Sequence, residues 1–166
     1  MDFIKTVEYE REITGLHMSG YGNRRYLAIS EKRSDNNIYL LIYDLKSNNY
    51  KQMVPKYQFN LCDLAYGHHG RREHKSDENT TRTLVSLNFS KDAKFLAAIL
   101  TDQTLDTKVL IYDIQKQKTS VLYDQFSGMS ITKVTFNPKD SSQICTSGPR
   151  HWKVWNIKEG SFKMIP

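Results

Sequence analysis

Lys108-Val109-Leu110-Ile111-Tyr112-Asp113-Ile114 is an apolar run that closes on an aromatic, an acid and an aliphatic residue. The same order returns in Tyr39-Leu40-Leu41-Ile42-Tyr43-Asp44-Leu45 and in Trp152-Lys153-Val154-Trp155-Asn156-Ile157. A lysine- or asparagine-bearing turn follows each copy. Short runs of β-branched and aromatic residues bounded by turn residues read as strands, not helices. Three copies in one chain make an internal repeat, and a repeat constrains the whole fold.

The residues upstream of each copy repeat as well. Leu84-Val85-Ser86-Leu87-Asn88-Phe89 leads through the turn Ser90-Lys91-Asp92-Ala93-Lys94 into Phe95-Leu96-Ala97-Ala98. Ile131-Thr132-Lys133-Val134-Thr135-Phe136 leads into Asn137-Pro138-Lys139-Asp140, where Pro138 and Asp140 supply turn chemistry. A looser first copy runs Ile13-Thr14-Gly15-Leu16-His17-Met18-Ser19, then a turn at Gly22-Asn23, then Tyr26-Leu27-Ala28-Ile29-Ser30. Asp113 and Asn156 lie 43 residues apart, within the roughly 40–45 expected of a propeller blade. Asp44 and Asp113 lie 69 apart. The excess falls in a polar segment over 58–81 that contains Gly67-His68-His69-Gly70-Arg71-Arg72-Glu73-His74-Lys75.

The chain therefore divides into a first unit over 1–57, an insertion loop over 58–81, a second unit over 82–125 and a third over 126–166. In the middle unit the expected strands are 83–89, 95–100, 107–114 and 119–123, lettered a to d from the inside out. The fold class is all-β, with helices nearly absent: about three four-stranded blades of a partial β-propeller. Propellers close with about 4–8 blades. Three would leave an apolar face and strand edges open at each end, so an incomplete propeller, part of a longer chain, is expected.

Composition narrows the class. Hydrophobic residues make up 39% and charged ones 25% of the 166, a soluble and foldable balance. No apolar run approaches the roughly 20 residues that span a bilayer. Met1-Asp2-Phe3-Ile4-Lys5 has no apolar core of a signal peptide. Cys62 and Cys145 lack CxxC spacing and read as thiols of a reducing, intracellular compartment. The net charge of +6 comes from scattered lysines and arginines, which suit a solvated basic surface better than a nucleic-acid stripe.

Candidate chemistry is sparse. No nucleophile elbow, metalloprotease helix, phosphate loop or dinucleotide fingerprint occurs, and Gly20-Tyr21-Gly22 lacks the strand-to-helix context of a phosphate site. No enzyme and no cofactor are expected. His68, His69 and His74 near Cys62 and Asp63 suggest zinc, but only His69 and His74 have ligand spacing and no second pair accompanies them. A solvated loop is the simpler account, and no metal is expected. Arg71, Arg72 and Lys75 form a basic knob suited to an acidic partner surface. Trp152 and Trp155 are three apart, so on a strand they point to opposite faces.

Phe89-Ser90-Lys91-Asp92-Ala93-Lys94-Phe95-Leu96 resembles the WD-repeat turn Phe-Ser-Pro-Asp-Gly-Lys-Tyr-Leu, and Val154-Trp155-Asn156 resembles its Val-Trp-Asp strand end. Arg25-Tyr26-Leu27-Ala28-Ile29-Ser30-Glu31, Ile42-Tyr43-Asp44-Leu45, Phe136-Asn137-Pro138 and Cys145-Thr146-Ser147-Gly148 resemble the amino-terminal region of the cilia- and flagella-associated WD-repeat proteins. The likeness spans most of 11–164 outside the insertion. It implies a non-enzymatic scaffold of the motile-cilium axoneme, in the cytoplasm and cytoskeleton. Its implied partners are inner-arm dynein or regulatory-complex subunits on doublet microtubules, with tubulin a further contact, and neither membrane nor nucleic acid. The coiled coil of that family has no counterpart here. The resemblance also implies that Tyr43, Asp44, Tyr112, Asp113, Trp155 and Asn156 are structural. Each aromatic would pack between blades and bond a strand-b hydroxyl, for which Ser30 and Thr146 stand in place. A Gly-His pair before strand a, which completes the family's tetrad, is missing. Two other readings compete: a general cytosolic WD-repeat adaptor, and an RNA-associated propeller.

Overall fold

The computed structural model describes residues 11–20, 25–47, 52, 54–66, 81–122, 130–158 and 161–165. Twelve strands and one short helix appear among them. Blade 1 holds β1 (Glu12–Met18), β2 (Tyr26–Lys32), β3 (Ile38–Asp44) and β4 (Tyr57–Asn60), followed by α1 (Leu61–Tyr66). Blade 2 holds β5 (Arg82–Phe89), β6 (Phe95–Asp102), β7 (Thr107–Asp113) and β8 (Lys118–Leu122). Blade 3 holds β9 (Lys133–Phe136), β10 (Gln143–Gly148), β11 (His151–Lys158) and β12 (Ser161–Ile165). Each blade is an antiparallel four-stranded meander whose spatial order follows the chain. This is the all-β, partial WD-type propeller that the repeat predicts.

The repeat is visible in the backbone bonds. The aliphatic residue after each aromatic-acid pair donates its N–H to the carbonyl of the a–b turn. Leu45 donates to Arg25, Ile114 to Lys94 and Ile157 to Ser142. Where strand a ends, a side-chain oxygen or amide organises the turn into strand b. Ser19 Oγ accepts from the N–H of Tyr26 at 3.0 Å, and Ser90 Oγ accepts from that of Phe95 at 2.9 Å. In blade 3 the Asn137 side-chain amide donates to Gln143 Oε1 at 2.9 Å. Each b–c turn passes through one non-glycine residue at positive φ: Asn36, Leu105 and Arg150.

The strands β1, β5 and β9 lie nearest the propeller axis, where they touch one another in order. Between blades 1 and 2 lies one apolar cluster, with Ala28, Ile38, Ile42, Leu100 and Ala65 fully buried. A second cluster, between blades 2 and 3, joins Ile99, Val109 and Ile111 to Val134, Ile144 and Trp155. Blade 2 is thus apolar on both faces, which explains why β7 is the most continuously buried strand. Two glycines make the close approaches possible. A Cβ at Gly15 would meet Leu84 Cδ2 and Ser30 Oγ at 2.9 Å, so β1 can lie against β5. A Cβ at Gly148 would collide with the Ser130 carbonyl oxygen, where the chain enters blade 3.

The segment from 58 onward does not begin as the expected loop. Residues 57–60 are β4, paired to β3 with Tyr57 opposite Ile42 and Phe59 opposite Leu40. The helix α1 follows at once. Asn60 Oδ1 accepts the N–H of Cys62 at 2.9 Å and so caps it. Leu61, Cys62 and Ala65 then point into the cluster between blades 1 and 2. A local cap and an apolar face at helical spacing outweigh the polar character of the segment as a whole.

Candidate interaction surfaces

The WD position is used differently in each blade. In blade 3, Trp155 is fully buried and its Nε1–H donates to Thr146 Oγ1 at 2.9 Å. The same hydroxyl lies 2.9 Å from His151 Nε2, forming a buried Trp–Thr–His chain. Burial and the charge of Lys153 hold the His151 pKa below its ordinary value. A neutral ring can accept the Thr146 hydroxyl proton while that oxygen accepts from Trp155. The missing Gly-His pair is thus replaced, inside the blade, by the first residue of β11.

Blades 1 and 2 lack that chain. Trp155 stands opposite Ile144, and Thr146 is two residues further along β10 on the same face. In blade 2, Tyr112 stands opposite Leu96, which places Ala98 where the hydroxyl would be. In blade 1, Tyr43 stands opposite Leu27, which places Ile29 there. Ser30, expected as the partner of Tyr43, is one residue off and points to the other face. Its hydroxyl meets Thr14 Oγ1 at 2.9 Å. Tyr112 instead packs against Phe59 at 4.7 Å between ring centroids and edge-on to Tyr57 at 6.2 Å. Burial raises the pKa of both Tyr43 and Tyr112.

The acids that follow also differ. Asp44 is buried, and Arg25 grips its carboxylate through Nε at 3.1 Å and Nη2 at 2.9 Å, while Lys56 Nζ reaches it at 3.0 Å. Burial alone would raise its pKa, but the bonds from Arg25 and Lys56 overcome this and bring it to about 2. Asp113 accepts the N–H groups of Gln115 at 3.0 Å and Lys116 at 2.9 Å, closing the c–d turn. Asn156 keeps Oδ1 buried without a hydrogen-bond partner among the described residues. The ion triad of Asp44 was not legible in sequence, because Arg25 and Lys56 look like ordinary surface residues until β2 and the entry to β4 flank the end of β3.

Arg71, Arg72 and Lys75, like His68, His69 and His74, lie outside the described residues. Cys62 is buried in the inter-blade cluster, and burial raises its thiol pKa. Among the described residues no three of His, Cys, Asp and Glu come together as a metal site would need, and no helix is long and apolar enough to cross a membrane. Large apolar side chains are exposed on the outward faces of the two end blades. Trp152 is 71% exposed on blade 3, and Ile13 and Leu16 are 66% and 62% exposed on β1.

Solved structures with the same architecture cover nearly the whole chain. A chain of the mitotic checkpoint complex matches at TM-score 0.57 and 14% identity, over 93% of this chain and 38% of that one. The β-propeller domain of Cps50 (Swd1) from Myceliophteria thermophila matches at 0.56 and 16%, over 93% and 39%. The C-terminal WD40 domain of Sif2 matches at 0.56 and 12%, over 92% and 33%. At such identities the likeness is one of fold. The chain spans between a third and two fifths of the solved chains it matches. No curated protein matches. These comparisons support the WD-repeat blade but give no support to the cilia- and flagella-associated subgroup, whose motifs here are those shared by WD blades generally. A family model described as "Nucleolar protein 10-like, N-terminal domain", a β-propeller family, matches residues 10–165. With that match running through all three blades, the chain belongs to the nucleolar protein 10-like N-terminal β-propeller family.

Proposed function

We propose that the chain is a non-enzymatic protein-interaction scaffold of a nucleolar, RNA-associated assembly. The observation that carries this reading is the family match over residues 10–165, whose description names a nucleolar protein. The fold supports the scaffold part. Buried polar side chains in it hold strands and turns together, as Asp44 does with two cations and Thr146 with Trp155 and His151. Partner contacts then fall to the rims and loops that rigid sheets display. Arg71, Arg72 and Lys75 are proposed as one such contact, through their charge, toward an acidic partner.

The test is localisation of the tagged full-length protein, followed by its purification with and without ribonuclease. Nucleolar enrichment with protein partners that survive ribonuclease is the expected result. Diffuse cytosolic signal would leave a general adaptor. Retention in the axoneme after detergent extraction, without nucleolar signal, would restore the ciliary reading and overturn this one. Replacing Arg71 and Arg72 by glutamate should reduce partner recovery and its salt sensitivity.

A further inference from the structure

Between the outer strands of blades 1 and 2 runs a groove of about 360 Å³. Its floor is apolar: Phe59 from β4, Leu64 from α1 and Tyr112 from β7. Gln58, Gln117 and Thr119 stand along its rim, and among the described residues Lys56 is the one charged residue of the lining. Lys116 and Lys118 are exposed on either side of Gln117. Cations outnumber acids on this side of the sheet among the described residues: Arg25, Lys56, Lys116 and Lys118 against Asp44 and Asp113. Asp44 is held by Arg25 and Lys56, and Asp113 accepts from its own turn. Asp63 acts on Tyr39, which belongs to the opposite face of the sheet. With Lys56 paired to Asp44, the exposed Lys116 and Lys118 supply the positive excess at the mouth of the groove.

Among the described residues the strand beside it has an open side. β4 is the end strand of its sheet and pairs only with β3 among the described residues, and its residues Tyr57, Gln58 and Phe59 line the groove. Such an edge accepts an extended chain by strand addition, while pockets alongside select alternate side chains. We propose that this groove binds an extended, acidic peptide segment of a protein partner, paired along the edge of β4 with one apolar side chain against Phe59 and Leu64. The proposal rests on the scaffold reading given above but not on its nucleolar setting. A single-stranded RNA fits less well, because base stacking needs open ring faces. Here the Phe59, Tyr57 and Tyr112 rings pack on one another, and Tyr112 is only 8% exposed.

The test uses the whole chain and a fluorescein-labelled peptide that alternates glutamate with leucine, read by anisotropy. The acidic peptide should bind in a salt-sensitive manner, and a version with lysine for glutamate should not. Replacing both Lys116 and Lys118 by glutamate leaves the core untouched and should weaken binding about tenfold. Thr119→Trp, which fills the groove from its rim, should block binding with an unchanged melting midpoint. Amide exchange over 57–60 should slow when the peptide is present. Equal binding of the lysine peptide, or indifference to both sets of variants, would overturn the proposal. So would binding of oligouridylate, lost in the Lys116→Glu/Lys118→Glu protein, without binding of the acidic peptide. If the peptide binds while the tagged protein is absent from nucleoli, only the nucleolar reading falls; the reverse outcome removes only the groove.

Discussion

Asp44 shows how much a single WD-position acid can carry. Its folded pKa of about 2 lies below the ordinary 3.8, so the folded state holds the carboxylate more tightly charged than the unfolded chain does. The stabilisation is full above pH 3.8 and is lost as pH falls toward 2. A change of that size corresponds to about 2 kcal/mol. The partly exposed ends of Arg25 and Lys56 reduce this toward about 1 kcal/mol through solvent screening. Asp44→Asn should therefore lower stability by about 1–2 kcal/mol at neutral pH in urea titrations. The loss should shrink as the wild type is acidified through that window. An unchanged difference between pH 7 and pH 2.5 would refute the ion-triad account. At the same scale, Ser30 stands one residue away from the position that would serve Tyr43. In a strand neighbouring side chains face opposite ways, so a hydroxyl at the wrong parity cannot reach the aromatic however close it lies in sequence.

At the scale of elements, the turns test the repeat. Leu105 sits at φ 62 and is 45% exposed, while Ala93 sits at φ 57 and is only 4% exposed. A left-handed conformation costs an L-residue about 1–2 kcal/mol, so both positions are strained. Leu105→Asn removes little packing and should raise stability by about 0.5–1 kcal/mol. Ala93→Gly relieves the same strain but takes a methyl from the core, worth about 0.8 kcal/mol. Its melting midpoint should therefore barely move. A gain from Ala93→Gly larger than that from Leu105→Asn would show that the buried methyl contributes nothing. The glycine of the WD turn pattern marked the Ala93 site in sequence. Helix α1 left a signal too, in the cap at Asn60 and the spacing of Leu61 and Ala65. It was hidden because the long polar stretch behind it dominated the segment.

At the scale of the molecule, apolar side chains on β1 and β11 of the two end blades are exposed among the described residues. The middle blade is sealed by clusters on both sides, whereas Leu16 and Trp152 remain 62% and 71% exposed. Patches of this kind drive association. The 166-residue chain should therefore show concentration-dependent sedimentation. Leu16→Gln combined with Trp152→Gln should shift it toward the monomer, with little change in thermal midpoint because neither side chain is buried. Sedimentation identical to wild type would show that these faces do not govern association.

The sequence by itself determined the repeat, and with it the strand order within each blade. A periodicity of about 43 residues and an alternation of apolar side chains are local properties written into the chain. Tertiary structure decided what each repeated residue does. Whether an aromatic meets a threonine, another ring or open solvent depends on register across strands and on which blade stands beside it. So Trp155 is sealed in a hydrogen-bonded chain, Tyr112 floors a groove, and Asp44 gathers two cations. Identical positions in sequence are given different partners because contacts between blades join residues far apart along the chain, and no local pattern encodes them.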